Sequence, residues 1–493
     1  MKNKRLEVFL ILIIAEGLLL ALAWLFSGDA LPEVTDKIRF MSISEMFDFS
    51  VNHENEVADS LLQQYIADTS NSDSLLKRHS LSRIGPKKKN VFLINPENEG
   101  MTALDNFFKA LYEEKDTCVI RIAHYGDSQC EGDRMSWIIR EKFHEKFGGT
   151  GVGYVPFKDL SPVSYTRYSS GNWTRFTVFH DRYSNSYYGL SGLVFHFSRY
   201  AVFQPDDDNG QNNDIKDTHK VKVGSTYNSA SVSVKLGENL KYNRVSVLYG
   251  RTNDYTLLNY YDIENGNRLA SDTLPPAKEV VLKTRIMDEP VLKLKLEFSA
   301  SNSPDFYGVY LDGNNGVQVD NYAIRGHSGD GLMLIDDDHL ARMIKLLNTR
   351  LIIFQYGMNV VPYIRSDKAC QSIEELYYQL FMKFRKAAPD VSILVVSSGD
   401  MARGGEGGYS SYPWLPKIVL AQKNAALKAG CAFFDIFDMM GGPNSILVWT
   451  QRKLAVTNGH FSSLGQEIIA SELVEALMVE YNMYLHKHRN NKS

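Results

Sequence analysis

Four short runs hold residue types that acyl-group chemistry uses: Gly126-Asp127-Ser128, Asn321-Tyr322-Ala323-Ile324-Arg325-Gly326, Gly357-Met358-Asn359 and Asn458-Gly459-His460. A serine hydroxyl becomes a nucleophile when a histidine takes its proton, and the histidine then returns that proton to the leaving group. Ser128 and His460 can form such a pair. A glycine lets backbone approach a substrate closely. The Asn359 amide is a donor for a developing oxyanion. Taken singly, each run has an ordinary structural meaning: Gly-Asp-Ser as a helix N-cap, Gly-x-Asn as a turn, a histidine before a helix as an incidental residue.

Their placement gives them weight. Cys118 to Ala123 reads as a short strand and Glu131 to Phe147 as a helix with Met135, Ile138, Ile139 and Phe143 on one side, so Ser128 falls on the turn from strand to helix. A helix over Met101 to Glu114, with Leu104, Phe107, Phe108 and Leu111 on one face, precedes them. Leu351 to Phe354 and Ile393 to Val396 read as buried strands, and Gly357-Met358-Asn359 follows the first. Helices are expected over Ser372 to Ala387, opened by Ser372-x-x-Glu375, and over Pro416 to Ala429. A strand at Cys431 to Ile436 follows, and the last helix runs from about Leu464 to Met478, opened by Ser463-x-x-Gln466. Strands alternating with helices imply a doubly wound parallel sheet, and such sheets bind ligands beyond the carboxyl ends of their strands.

That alternation is interrupted. Leu292, Leu294, Leu296 and Phe298 alternate with Lys293, Lys295 and Glu297, and Val232, Val234 and Leu236 behave likewise. One wet and one buried face is the signature of an antiparallel sandwich. The expected organisation is an α/β domain over 100–157 and 319–485, a β-sandwich inserted over 158–318, and a polar linker over 31–99.

Before the linker, Lys2, Lys4 and Arg5 precede an apolar run from Val8 to Phe26, broken only by Glu16. Its length suits a bilayer core, and the basic flank keeps the N-terminus cytoplasmic. Residues 1–30 are therefore expected to be a cytoplasmic tip and an uncleaved transmembrane helix, with the rest outside the cytoplasmic membrane. A net charge of −4 and one short basic run, Lys87-Lys88-Lys89, give no electrostatic case for nucleic acid. Cys118, Cys130, Cys370 and Cys431 have no metal-ligand spacing and read as small apolar residues.

The run His124-Tyr125-Gly126-Asp127-Ser128-Gln129, with Glu131-Gly132-Asp133-Arg134 after it, resembles the first block of SGNH (GDSL-like) hydrolases. The likeness is to bacterial envelope members that include peptidoglycan O-acetylesterases, in which a carbohydrate-binding-like sandwich separates the first and second blocks. Asn321-x-x-Ile324-x-Gly326 matches the second block, Gly357-x-Asn359 the third, and His460 with Phe461 the fifth. Met440 to Ser445, with Trp449, resembles a segment seen upstream of that histidine.

The resemblance implies a flavodoxin-like α/β sheet and a serine esterase. Ser128 would be the nucleophile, His460 the base, and Ser128, Gly326 and Asn359 the oxyanion hole, with no metal or organic cofactor. It implies O-acetyl or another short acyl group on a polysaccharide or peptidoglycan as substrate. The family also offers an acyltransferase reading, with a membrane O-acyltransferase as partner, and a glycan-binding reading in which the centre has decayed. One departure matters: the family's usual Asp three residues before the histidine is Thr457 here. A backbone carbonyl, or Asp435 or Asp438, would then have to orient the imidazole.

Overall fold

The computed structural model describes residues 92–198, 200–201, 221–222, 228–405 and 408–490. The apolar run 8–26, Glu16 and the first sixty residues of the expected linker lie outside these residues, as does the short basic run 87–89. Among the described residues, no helix is long and apolar enough to cross a membrane.

The α/β part is a six-stranded sheet of β1 (Leu93–Ile94), β2 (Val119–Gly126), β3 (Gly316–Ala323), β4 (Thr349–Gln355), β5 (Ser392–Val396) and β6 (Ala432–Phe434). Its order is β1-β6-β5-β4-β2-β3. All pairs are parallel except β1 with β6. The parallel strands are buried on both sides, which is why β4, β5 and β6 read as apolar runs, while β2 and β3 also bury Arg121, His124, Gln318 and Asp320.

Helices α1 (Asp105–Glu113), α2 (Ser136–Phe147) and α8 (Ser463–Asn490) share one core with Ile120, Ile122, Leu351 and Leu394. Helices α3 (Asp337–Leu346), α4 (Asp367–Ala387) and α5 (Leu415–Lys428) share the other with Tyr125, Phe354, Val395 and Phe433. The short helices α6 (Ile436–Met440) and α7 (Ser445–Gln451) lie between α5 and α8 in the chain. The sheet is thus doubly wound. Its strand order reverses between β2 and β4, the point where such sheets open a crevice for ligands.

The insertion is a sandwich of two antiparallel sheets. One has the order Arg268–Leu274, Thr256–Asp262, Lys293–Ala300, Asn228–Lys235, Thr166–Ser169. The other runs Val281–Val291, Tyr242–Gly250, Asp305–Asp312, Leu193–Phe197, Trp173–Thr177, with Gly151–Val155 also paired to Asp305–Asp312. The sandwich is fused to the α/β part rather than tethered, because its apolar residues belong to the same core as α3, α4 and α5. At the join, the buried Arg121 of β2 is ion-paired with Asp312 of the sandwich and with Asp320 of β3, the latter at 3.1 Å. The Tyr125 hydroxyl donates to the Leu190 carbonyl at 2.7 Å.

Several expected boundaries shift. β1 lies inside the segment read as linker, and two residues of strand carry no readable periodicity. The sandwich begins at Gly151, because the strand Gly-Val-Gly-Tyr-Val has no polar alternation to announce it, and β3 already belongs to the parallel sheet from Gly316. Helix α4 starts five residues early, at Asp367, capped by the Ser366 hydroxyl, which accepts from Ala369 N at 3.2 Å. Ser372 is interior to it and donates back to the Lys368 carbonyl. The last helix is opened by Ser462, whose hydroxyl accepts from Gly465 N at 3.2 Å.

Candidate active site

Strand β2 ends at Gly126, and the chain turns at once. The carbonyl of Asp127 accepts from Cys130 N and Glu131 N, both at 3.1 Å, and its Oδ1 accepts from Gln129 N at 2.9 Å. This local knot lifts Ser128 out beyond the carboxyl end of the strand. The helix expected to begin at Glu131 is instead a 3₁₀ turn over Glu131–Asp133, with α2 starting only at Ser136. The break is held by Asp133, at φ 66°, whose carboxylate is bound by both Nη1 and Nη2 of Arg140 at 2.8 and 2.9 Å. Ser128 is therefore not at the N-terminus of an α-helix, and the helix dipole is not what activates it.

The structure brings His460, the expected base, to Ser128. Its Nε2 lies 2.8 Å from Ser128 Oγ. Its Nδ1 lies 2.9 Å from Asn458 Oδ1, which also accepts from His460 N at 3.2 Å. A backbone N–H can only donate, so the atom it meets is the amide oxygen, and that oxygen requires the imidazole proton on Nδ1. Nε2 is then left with its lone pair toward Ser128. The orienting group is thus a side chain, neither a backbone carbonyl nor Asp435 or Asp438. Asp435 instead caps α6, accepting from Asp438 N at 2.9 Å. Thr457 contributes only its carbonyl, which accepts from Ala402 N at 2.8 Å.

Two features hold the histidine loop on the serine loop. Gly459 has φ 90°, a conformation that residues with a side chain rarely adopt, and a Cβ there would also displace the end of Met358, so a larger residue between Asn458 and His460 would be strained. Gln129, the residue after the serine, is buried and bonds to both neighbours of the histidine. Its Nε2 donates to the Gly459 carbonyl at 2.7 Å, and its Oε1 accepts from Phe461 N at 3.3 Å. Gln129 therefore fixes the distance between nucleophile and base by direct backbone contact.

The expected oxyanion donors divide into two groups. Among the described residues, no oxygen accepts from the backbone N–H of Ser128 or Gly326, and Gly326 sits at φ 74°. Asn359 is engaged: its Nδ2 donates to Asp127 Oδ2 and to the His327 carbonyl, both at 3.1 Å. Both amide hydrogens are occupied, so one must exchange partners before Asn359 can serve an oxyanion. Asn321 is structural, its Nδ2 donating to the Cys130 carbonyl at 2.8 Å and to Ser136 Oγ at 2.7 Å.

His460 is partly buried, and Arg134 and Arg325, both paired with Glu131, lie near it. Burial, with the charges of Arg134 and Arg325, lowers the His460 pKa to about 4. The imidazole is therefore neutral and ready to accept a proton at any pH well above that. Arg134 donates to the Ser128 carbonyl and, through Nε, to the Glu131 carbonyl at 3.0 Å. Arg325 Nε is bonded to Glu131 Oε2 at 2.7 Å. Burial pushes Asp127 up to about 7. The arrangement of nucleophile, neutral base, ring orienter and free backbone donors suits acyl transfer through a covalent serine intermediate.

The His460 environment is testable by NMR on histidine-labelled protein. His460 should titrate with a midpoint near 4. Asn458→Asp should raise that midpoint, because an adjacent negative charge favours imidazolium. A midpoint near the ordinary histidine value of 6.5 in the unmodified chain would contradict the site as described.

No family model and no curated protein matches the chain. Among solved structures it is similar to a peptidoglycan O-acetylesterase, with a TM-score of 0.59 at 18% identity, covering 80% of this chain and 99% of that one. It also matches an acetyl xylan esterase, AlAXEase, at 14% identity and a TM-score of 0.26, over 32% of this chain and 81% of the other. A family two carbohydrate esterase from Clostridium thermocellum matches at 12% identity and a TM-score of 0.23, over 52% and 92%. The first of these matches shows that the α/β sheet and its sandwich together form a fold shared with a peptidoglycan O-acetylesterase.

Proposed function

We propose that this chain is an SGNH-type serine esterase that removes O-acetyl or other short acyl groups from a polysaccharide. The observation that carries the reading is the hydrogen-bonded line from Ser128 Oγ through His460 to Asn458 Oδ1. The fold shared with a peptidoglycan O-acetylesterase supports it, as do the four sequence blocks in order.

In this reading Ser128 Oγ attacks the acyl carbonyl carbon while its proton passes to His460 Nε2. The carbonyl oxygen becomes an oxyanion and meets the N–H groups of Ser128 and Gly326. Asn359 joins by releasing the His327 carbonyl. The intermediate collapses, the sugar oxygen leaves with the proton from His460, and the acyl group stays on Ser128. Water, deprotonated by His460, then attacks the acyl-enzyme and frees the carboxylic acid. Arg134 and Arg325 disfavour imidazolium in the free protein, and the oxyanion's negative charge offsets them at the moment the proton moves. Asn458 fixes the tautomer without the full charge of a carboxylate, as the asparagine does in cysteine–histidine–asparagine sites. The completeness of this line favours catalysis over a glycan-binding protein with a lost centre.

The full chain should hydrolyse 4-nitrophenyl acetate and release acetate from O-acetylated glycans. Ser128→Ala should lower kcat by about 10⁴–10⁶, His460→Ala by a similar factor, and the double variant little further, because nucleophile and base fail as a unit. Losses that add would contradict a shared step.

The proposal includes location: the basic and then apolar N-terminus supports a tether with the catalytic part outside the cytoplasmic membrane. Protease added to intact spheroplasts should digest that part. Full protection until lysis would reverse the topology.

A further inference from the structure

A groove of about 300 Å³ opens between two segments that also build the catalytic centre. One wall is the 3₁₀ segment Met358–Tyr363, which carries Asn359 and contributes Pro362, together with Arg365 beyond it. The other is the hairpin Ala402–Gly405 and Gly408–Ser411 with the residues that close it, contributing Arg403, Tyr412 and Trp414. The hairpin base is bonded to the histidine loop by Ala402 N donating to the Thr457 carbonyl at 2.8 Å. Tyr412 N donates to the Met401 carbonyl at 3.1 Å. The groove is thus walled by the segment that carries Asn359 and by a hairpin bonded to the histidine loop.

Its lining is specific in chemistry. Two arginines, Arg365 and Arg403, are exposed at it, and among the described residues neither has a carboxylate or any other hydrogen-bond partner. Of the other exposed arginines, Arg251 and Arg342 are ion-paired with Asp305 and Glu279, and among the described residues Arg182, Arg268 and Arg452 are not in an ion pair; what sets Arg365 and Arg403 apart is that both line one groove. The nearby Lys417 is paired with Asp367 at 2.5 Å and sits 4.6 Å from the Trp414 ring centroid. The unpaired guanidinium groups present planar forks that match a carboxylate. Tyr412, Trp414 and the proline offer flat apolar surface of the kind a sugar ring packs on. The chain as a whole is acidic, so this is a local feature and not a field for polyanions in general.

We propose that this groove is a subsite for a carboxylate-bearing sugar next to the acylated one, so that the substrate is an anionic glycan. The inference rests on the esterase reading above for its role in turnover, but the binding itself does not. Two sources of the carboxylate share this chemistry: a uronic acid, and the lactyl ether of muramic acid.

The test is isothermal titration of the full-length Ser128→Ala protein, which cannot turn over, with tetragalacturonate, with the disaccharide of N-acetylglucosamine and N-acetylmuramic acid, and with neutral cellotetraose. At least one acidic ligand should bind about tenfold more tightly than cellotetraose, the scale of two partly exposed charge pairs. Whichever does identifies the source. Combining Arg365→Gln and Arg403→Gln should abolish the preference. Acidic ligands that bind no better than cellotetraose, or a preference that survives the two arginine changes, would overturn the proposal. Hydrolysis of 4-nitrophenyl acetate by the unmodified protein reports on the esterase reading separately, so either can fail alone.

Discussion

Ser128 and His460 are 332 residues apart in sequence and 2.8 Å apart in space. Any chemistry here depends on holding that contact, and the fold does so from two sides. The parallel sheet delivers Ser128 at the end of β2, between β4 and the edge strand β3, and the β2–β3 pair keeps an unbroken register although a sandwich of some 160 residues is inserted between them. Gln129 then ties the two loops by bonding to the residues on both sides of the histidine. A nucleophile and base act as a unit only within hydrogen-bond reach, so a shift of about 1 Å from either loop would be felt in rate.

The same burial that fixes the geometry sets the electrostatics. Burial and two nearby arginines keep the imidazole neutral, and this suits a base that must accept a proton and then give it up. An aspartate in the orienting position would stabilise imidazolium and hold the proton more strongly. Asn458 orients the ring without that charge. In the proposed reaction the transient oxyanion, more than a permanent carboxylate, would balance the imidazolium.

Much of this was legible in the chain. Ser128 and Asn359 follow the ends of β2 and β4, strands that apolar runs locate, while His460 lies in the loop before the last helix, and the amphipathic α1, with Leu104, Phe107, Phe108 and Leu111 buried, folds as its spacing requires. What escaped has physical reasons. Helix starts are ambiguous where several serines precede an apolar face, so Ser366 was hidden behind Ser372. Asn458 was readable in principle: an asparagine two residues before a backbone N–H commonly folds back on it, and Asn-Gly-His offers that turn. Gln129 carried no local signal, because its partners lie 330 and 332 residues away. The occupied amide of Asn359 was likewise beyond reach, since it depends on Asp127 and His327 meeting in three dimensions.

The central claim is that Ser128 is a nucleophile activated by a neutral His460. It is tested most directly by treating the full chain with a serine-reactive aryl phosphonate and locating the adduct by peptide mass spectrometry. The account predicts one adduct per chain, on Ser128, with labelling lost in His460→Ala and suppressed as pH falls through about 4, where His460 becomes protonated. No adduct, an adduct on another residue, or labelling of Ser128 that is indifferent to His460 would contradict it.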